Sequence, residues 1–276
     1  MIRNIYFVAI SILSLCTAAN ASPLNNKYKI TNDCISTLKN INICRIQALE
    51  NFGAVKKGDK GGYIESERNL SFNGLSWIDE NAQVFENAHV EENAKVFGNA
   101  KVFGNAGITQ SAQVFAESTV FNTAIITGNA VITDNAIIAG NALIIGNAKI
   151  TNNAKISGNA RIHDNAKISG NAEITDNAEI YGNAVITDNA KISGNAIISD
   201  NVLITDNAKI AEKVKIGESA IIFGNALIIE KAEVFGNAEV FGNTVIAGNS
   251  KILGTAQIGG DATIINKTYT KGRIMH

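Results

Sequence analysis

One pattern of apolar and polar positions repeats every six residues from Trp77 to Ile265. Every sixth residue from Val84 to Ile264 is isoleucine or valine, and no insertion or deletion breaks this register. The residue two places earlier in each unit is small or is valine, and it is most often alanine. A typical unit is Ile156-Ser157-Gly158-Asn159-Ala160-Arg161.

This period selects one fold class. An α-helix cannot produce the pattern, because a six-residue period drifts around a 3.6-residue turn and leaves no constant apolar face. An ordinary up-and-down sheet would show turns of varied length, whereas a solenoid explains both the strict period and the absence of loops. We therefore predict an all-β protein, a single-stranded parallel β-helix over residues 77–265. Three hexapeptides close one triangular coil, and about ten coils form a rod of roughly 50 Å.

Each position of the unit has an expected place in the coil. The branched aliphatic residue points inward, the small residue fills the next inward position, and Gly-Asn or Asp-Asn turns the corner. The corner asparagines are expected to hydrogen-bond from coil to coil, as in other stacked sheets. Glycine and aspartate alternate along many corners, so Gly158 should lie beneath Asp176 and like charges are mostly kept from stacking.

The repeat resembles that of a known family. The Ile-x-x-Asn-Ala-x unit is similar to the hexapeptide repeats of left-handed β-helix acyltransferases, which include UDP-N-acetylglucosamine acyltransferase; residues 216–220 and 258–262 match its usual form most closely. Residues 45–49, 52–65 and 69–71 look like a cap found on uncharacterised enterobacterial and prophage proteins designated acetyltransferases. The resemblance implies left-handed winding and, for an enzyme, a trimer with a histidine base in a cleft between protomers. A fold hosts many functions, so activity needs separate support.

The N-terminus is typical of a secretory signal peptide over residues 1–21. Arg3 precedes an apolar run from Ile5 to Leu15, and Ala19-Asn20-Ala21 offers a cleavage site. The run is shorter than the roughly 20 residues that span a bilayer. A lipoprotein site at Cys16 would require a small residue where Leu15 stands. We expect cleavage near Ala21, export to the periplasm or the cell exterior, and no transmembrane segment in the mature chain.

Residues 22–76 are predicted to form an N-terminal β-hairpin cap. The two cysteines of the mature chain, Cys34 and Cys44, flank the turn-like Ser36–Asn40. An even number of cysteines in an exported chain predicts a disulfide, with two buried thiols as the alternative. Their spacing does not match a zinc site. Residues 266–276 are predicted to be a short polar tail that covers the last coil weakly, so end-to-end association is expected.

Charge and motifs exclude several functions. The formal net charge is −1 and lysines alternate with glutamates, which disfavours nucleic acid and anionic membranes as partners. Residues 58–62 lack the spacing of a phosphate-binding P-loop and are predicted to form a tight turn. We predict no cofactor and no metal site, and the sequence does not identify a ligand.

No histidine is placed convincingly as a general base. His276 is the last residue, and His89 and His163 are expected to point outward on flat faces with no inserted loop beside them. General-base catalysis needs a group held within hydrogen-bonding reach of the substrate. His163, with Arg161, Asp164 and Tyr181 nearby, is the fallback candidate. We predict no catalytic residue otherwise.

Outward phenylalanines form ladders that predict an association surface. Side chains at the same position of successive coils share a column, which places Phe85, Phe103 and Phe121 on one face and Phe97, Phe115, Phe223 and Phe241 on a second. Contiguous exposed apolar patches on soluble proteins usually have partners. The alternative is that flanking lysine and glutamate stems cover the rings. Between the ends, threonines and serines fill the second column, but Lys149 and Lys167 beside them disfavour ice binding.

Two functional hypotheses remain. The first is an exported non-catalytic β-solenoid scaffold that binds a partner or associates with itself, as a trimer or end to end. The second is a trimeric hexapeptide-repeat acyltransferase. The absence of loops and of a placed base favours the scaffold, and export would separate an enzyme from cytosolic acyl donors.

Overall fold

The structure is a computed structural model that describes residues 26–275. The predicted signal peptide, its cleavage site near Ala21 and His276 lie outside the described residues. Among those that are described, no helix is long and apolar enough to cross a membrane.

Three parallel sheets form the sides of a triangular β-helix. Sheet A has one strand in each coil from Gln83–Val84 to Leu227–Ile228, then Val245–Ala247 and Thr263–Ile265. Sheet B has one in each coil from Trp77–Ile78 to Glu239–Val240, then Gln257–Gly259 and Arg273–Met275. Sheet C has one in each coil from His89–Val90 to Lys251–Ile252, then Thr268–Tyr269. The predicted parallel β-helix is confirmed.

Stacking in strict register holds the coils together. Each strand pairs with the equivalent strand of the next coil, as Val131 does with Lys149 and Ile132 with Ile150. Backbone bonds such as Lys149 N to Ala166 O, at 2.9 Å, join each coil to the next. The inward isoleucines, valines and alanines are buried along the whole rod. Because each inward residue lies on the equivalent residue of the next coil, one continuous apolar column runs through the prism.

The corners use left-handed backbone conformations. Gly158 has φ +70°, and a Cβ built there would lie 2.6 Å from the backbone nitrogen of Asp176, which is one coil further on. Asp176, at φ +59°, accepts a hydrogen bond on its carboxylate from the Gly194 N–H, at 2.9 Å. The alternation of glycine and aspartate at the corners therefore separates like charges and also lets each such carboxylate accept a hydrogen bond from the next coil. A similar bond from the Glu218 N–H, with a second from the Ser199 hydroxyl, lowers the pKa of Asp200.

The predicted asparagine ladders are present. Asn129 donates its side-chain amide to Asn147 at 3.1 Å, and Asn147 donates to Asn165 at 3.0 Å. A second corner carries the same chain of bonds from Asn141 to Asn159, at 2.9 Å, and onward. These bonds satisfy donors and acceptors that the corners would otherwise present to water.

The cap extends sheet A at the N-terminal end. Strands β1 (Tyr28–Ser36), β2 (Asn42–Ala48) and β3 (Lys60–Ile64) pair antiparallel, and β3 then pairs parallel with the first strand of sheet A. The predicted disulfide between Cys34 and Cys44 is confirmed, and it joins directly opposed residues of β1 and β2. A 3-10 turn at Glu67–Asn69 follows.

Lys27 fastens the cap to the rod. Its amine donates to the Ser71 carbonyl at 3.0 Å and to the Ser76 hydroxyl at 3.2 Å, and it lies 5.0 Å from the Phe52 ring centroid. Burial lowers the pKa of Lys27 to about 8, against the smaller opposing effect of Glu50. Ser71 also donates its N–H to the Val90 carbonyl, at 2.9 Å, which covers the first edge of sheet C.

The C-terminal segment differs from the predicted tail. Thr268–Tyr269 and Arg273–Met275 form strands that add one strand each to sheets C and B, which then contain 11 and 12 strands. The inward positions, Ile264, Tyr269 and Ile274, are only five residues apart, which is why the six-residue period did not reveal them. Tyr269 and Ile274 pack on the end of the core.

The account of the core predicts a large difference between two neighbouring isoleucines. Ile126 is fully buried, whereas Ile125 in the same strand is 45% exposed. We expect Ile126→Ala to lower the free energy of unfolding by roughly 2 to 5 kcal/mol, because it opens a cavity. The control variant, Ile125→Ala, should cost less than about 1 kcal/mol. Urea unfolding followed by circular dichroism measures both, and equal losses would contradict the inward and outward assignment.

Candidate functional site

His163 lies on sheet C beside two predicted neighbours, Tyr181 and Asp164, and beside Glu179, which was not predicted. Its ring stacks on Tyr181, with centroids 5.0 Å apart and planes 2° from parallel. The Nδ1 atom lies 3.3 Å from a carboxylate oxygen of Asp164, and Nε2 lies 3.4 Å from one of Glu179. Arg161 forms no ion pair in the part of the chain that is described. Glu179 was missed, although it stands one coil above Arg161 and the spacing between coils could have revealed it.

This arrangement is poorly suited to general-base catalysis. A general base must direct a free nitrogen lone pair at the substrate, and both ring nitrogens of His163 face carboxylates. Its side chain is 29% exposed, on a flat sheet whose strands continue above and below without an inserted loop. The geometry favours a surface histidine held by two acidic neighbours.

The three sheets carry few other candidate catalytic or metal-binding side chains in the described residues. His89 lies across Gly107 on sheet C, where the space above the glycine accommodates its ring. Within residues 26–275, no group of three or more histidine, cysteine, aspartate or glutamate side chains could hold a metal ion. The predicted tight turn over residues 58–62 is present only at its start: Gly58 has a left-handed backbone, and residues 60–62 already belong to β3.

The phenylalanine rings stack in ladders as the spacing between coils predicts. Phe97 and Phe115 lie 4.5 Å apart between centroids, and Phe223 and Phe241 lie 5.0 Å apart. On sheet A the Phe103 ring stacks between Phe85 and Phe121, at 5.1 and 5.2 Å. The geometry of the ladders is therefore present, and their role in association stays a prediction.

Phe85 has to be removed from the predicted association surface. It is only 5% exposed, because the cap packs Ile43 and Tyr63 against it. The Lys39 amine lies 4.9 Å from the Phe103 ring centroid and pairs with Glu86 at 2.8 Å, so Phe103 is also partly covered. The spacing of the repeats contains no information on where the hairpin folds, which is why this cover was not anticipated.

The second ladder belongs to a larger apolar area, which we call the C-terminal apolar surface. It comprises outward side chains on either side of one corner: Leu203, Ile221, Phe223 and Phe241 on sheet B, and Leu227, Ile229 and Val245 on sheet A. All seven are partly exposed. The aliphatic members were missed because only phenylalanines were followed along the columns.

Comparison with known proteins supports the fold and does not assign a family. No protein-family model and no curated protein sequence matches the chain. Solved structures do match, among them the UDP-N-acetylglucosamine acyltransferase of Francisella novicida, with a TM-score of 0.52 and 19% sequence identity. The match covers 56% of this chain and 63% of the acyltransferase chain. At this identity the likeness shows the fold alone, a parallel β-helix similar to that enzyme and in agreement with the left-handed class named from the repeat.

Proposed function

We propose that the protein is an exported, non-catalytic β-helical scaffold whose outward faces bind a partner or further copies of the chain. The observation that carries this proposal is the uninterrupted register from Trp77 to Ile265, which leaves the outward side chains beyond the cap on faces that no inserted loop encloses. Catalysis in water usually requires a pocket that surrounds the reacting groups and excludes solvent. A flat face instead suits binding to another extended surface.

Export is supported by two features. Residues 1–21 have the composition of a signal peptide. The bond between Cys34 and Cys44 lies on an exposed hairpin, and disulfides persist mainly in oxidising compartments. In such a compartment the cytosolic carriers of acyl groups are absent, which counts against an acyltransferase.

The acyltransferase alternative has one specific observation in its favour. The fold is similar to that of an acyltransferase, and the family resemblance implies a histidine base between protomers. His163 is the candidate base, but neighbouring carboxylates face both of its ring nitrogens. A partner protomer would have to displace one of them to free a lone pair.

The scaffold proposal predicts no acyl transfer. We expect purified residues 22–276 to transfer no acetyl group from acetyl coenzyme A to glucosamine-containing acceptors above the rate of the His163→Ala variant. Thiol release measures the reaction, and His89→Ala is the matched control on the same sheet. Transfer that is lost in His163→Ala and kept in His89→Ala would contradict the proposal and establish the enzyme.

The scaffold proposal also predicts self-association through the C-terminal apolar surface. We expect the mass of residues 22–276 from light scattering to rise with concentration, because this surface presents contiguous partly exposed apolar side chains. Replacing Phe223 and Phe241 together by serine should lower the association constant by about tenfold or more.

Phe235→Ser makes the same chemical change on sheet C, outside this surface and outside the predicted ladders, and should leave the dependence of the mass on concentration as in the parent. A constant monomer mass would contradict self-association. A discrete trimer that is insensitive to the Phe223 and Phe241 changes would instead favour the acyltransferase alternative.

A further inference from the structure

A groove lies where the cap meets sheet B. It is enclosed by the loop from Phe52 to Lys60 on one side and by the first three strands of sheet B on the other, with a volume of about 730 Å³. Paired backbone bonds between Phe52 and Val55, at 3.1 and 2.9 Å, hold the loop in shape. The groove is thus concave and built from two fixed parts, the cap loop and the first strands of sheet B.

Part of the groove lining is apolar. Trp77 is 4% exposed and packs edge-on against Phe52, with centroids 5.4 Å apart, so it forms the floor. Phe97 is partly exposed above it and is held in place by its stack on Phe115. Leu75, at 47% exposed, extends this apolar part of the lining. A partly exposed aromatic ring beside an aliphatic side chain can pack against an apolar surface of a ligand.

Hydrogen-bonding groups lie among these apolar side chains: Lys95 and Gln113 follow Trp77 in one column of sheet B, and Asp59 and Lys60 lie on the loop side. The side chains of Lys60, Lys95 and Gln113 line the groove and form no hydrogen bond or ion pair within residues 26–275. Asp59 and Asp79 each accept a hydrogen bond on one carboxylate oxygen from a nearby backbone N–H, at 2.7 and 2.8 Å. Two carboxylates and two ammonium groups give the lining no net charge, so it offers both donors and acceptors to a neutral ligand.

These features together select a class of ligand. Phosphates and nucleotides are bound by concentrated positive charge or by helix N-termini, and the balanced lining provides neither. A sugar ring has an apolar face that stacks on an aromatic side chain and hydroxyls that both donate and accept hydrogen bonds. The strands that line the groove are about 4.8 Å apart along the rod, close to the length of one pyranose unit. We infer that this groove binds a neutral oligosaccharide of two or three sugar units.

Trp77 provides a direct readout, because it is the only tryptophan of the chain. Residues 22–276 would be titrated with triacetylchitotriose and with maltotriose, followed by tryptophan fluorescence and by calorimetry. We expect saturable binding of at least one of them. Phe97→Ala should weaken it by about tenfold through loss of the stacking face. Phe235→Ala removes a partly exposed ring that follows the sheet C strand Glu233–Val234, far from the groove, and should bind as the parent does.

Three results would overturn the inference. The first is no heat and no fluorescence change with either saccharide up to about 10 mM, a concentration that detects even weak binding. The second is parental affinity in Phe97→Ala, shown to be folded by circular dichroism. The third is tighter binding of the anionic trigalacturonate than of both neutral probes. None of these results depends on acyl transfer or on the solution mass, so the inference is tested separately from the proposed function.

Discussion

The stacking of each residue on its equivalent in the next coil is the constraint on which the rest of the structure depends. Backbone bonds of about 2.9 Å run from every coil to the next, and inward side chains form one continuous column of isoleucine, valine and alanine. An insertion in one coil would have to leave the prism as a loop, because the coils on either side fix its path. The left-handed corners follow from the same constraint, since glycine and aspartate allow the chain to turn while a carboxylate bonds to the next coil.

The same constraint limits where function can reside. A repeat without insertions offers flat faces and two ends, and its outward side chains combine only in columns and across corners. Columns of aromatic and aliphatic residues create the C-terminal apolar surface, while columns of lysine and glutamate, as at Glu173 and Lys191, create exposed ion pairs of small energetic value. The groove at Trp77 and Phe97 arises where the cap interrupts this regularity. The scaffold proposal and the oligosaccharide groove therefore concern different parts of the molecule.

The sequence was sufficient to predict the repeating features and the disulfide of the cap, and insufficient to predict how the cap and the last coil fold. The inward positions, the stacking of Gly158 on Asp176 and the disulfide between Cys34 and Cys44 follow from period, side-chain size and compartment. The last coil was missed because its two units are five residues long. The cover over Phe85 and the groove were missed because both depend on how a non-repeating cap folds back, through contacts that no periodicity describes. Glu179 could have been found beside His163, because the spacing that relates coils was already known.

Removal of one whole coil tests the central claim most directly. Deletion of residues 149–166 joins positions that are equivalent in the repeat, so every remaining inward residue keeps its place. We predict a folded rod that is one coil shorter by small-angle X-ray scattering, with the circular dichroism spectrum of the parent. Deletion of residues 149–157, half a coil, should instead turn inward residues outward and abolish cooperative unfolding. If both deletions unfold the protein alike, or both leave it folded, coil-on-coil register is not what holds the structure together.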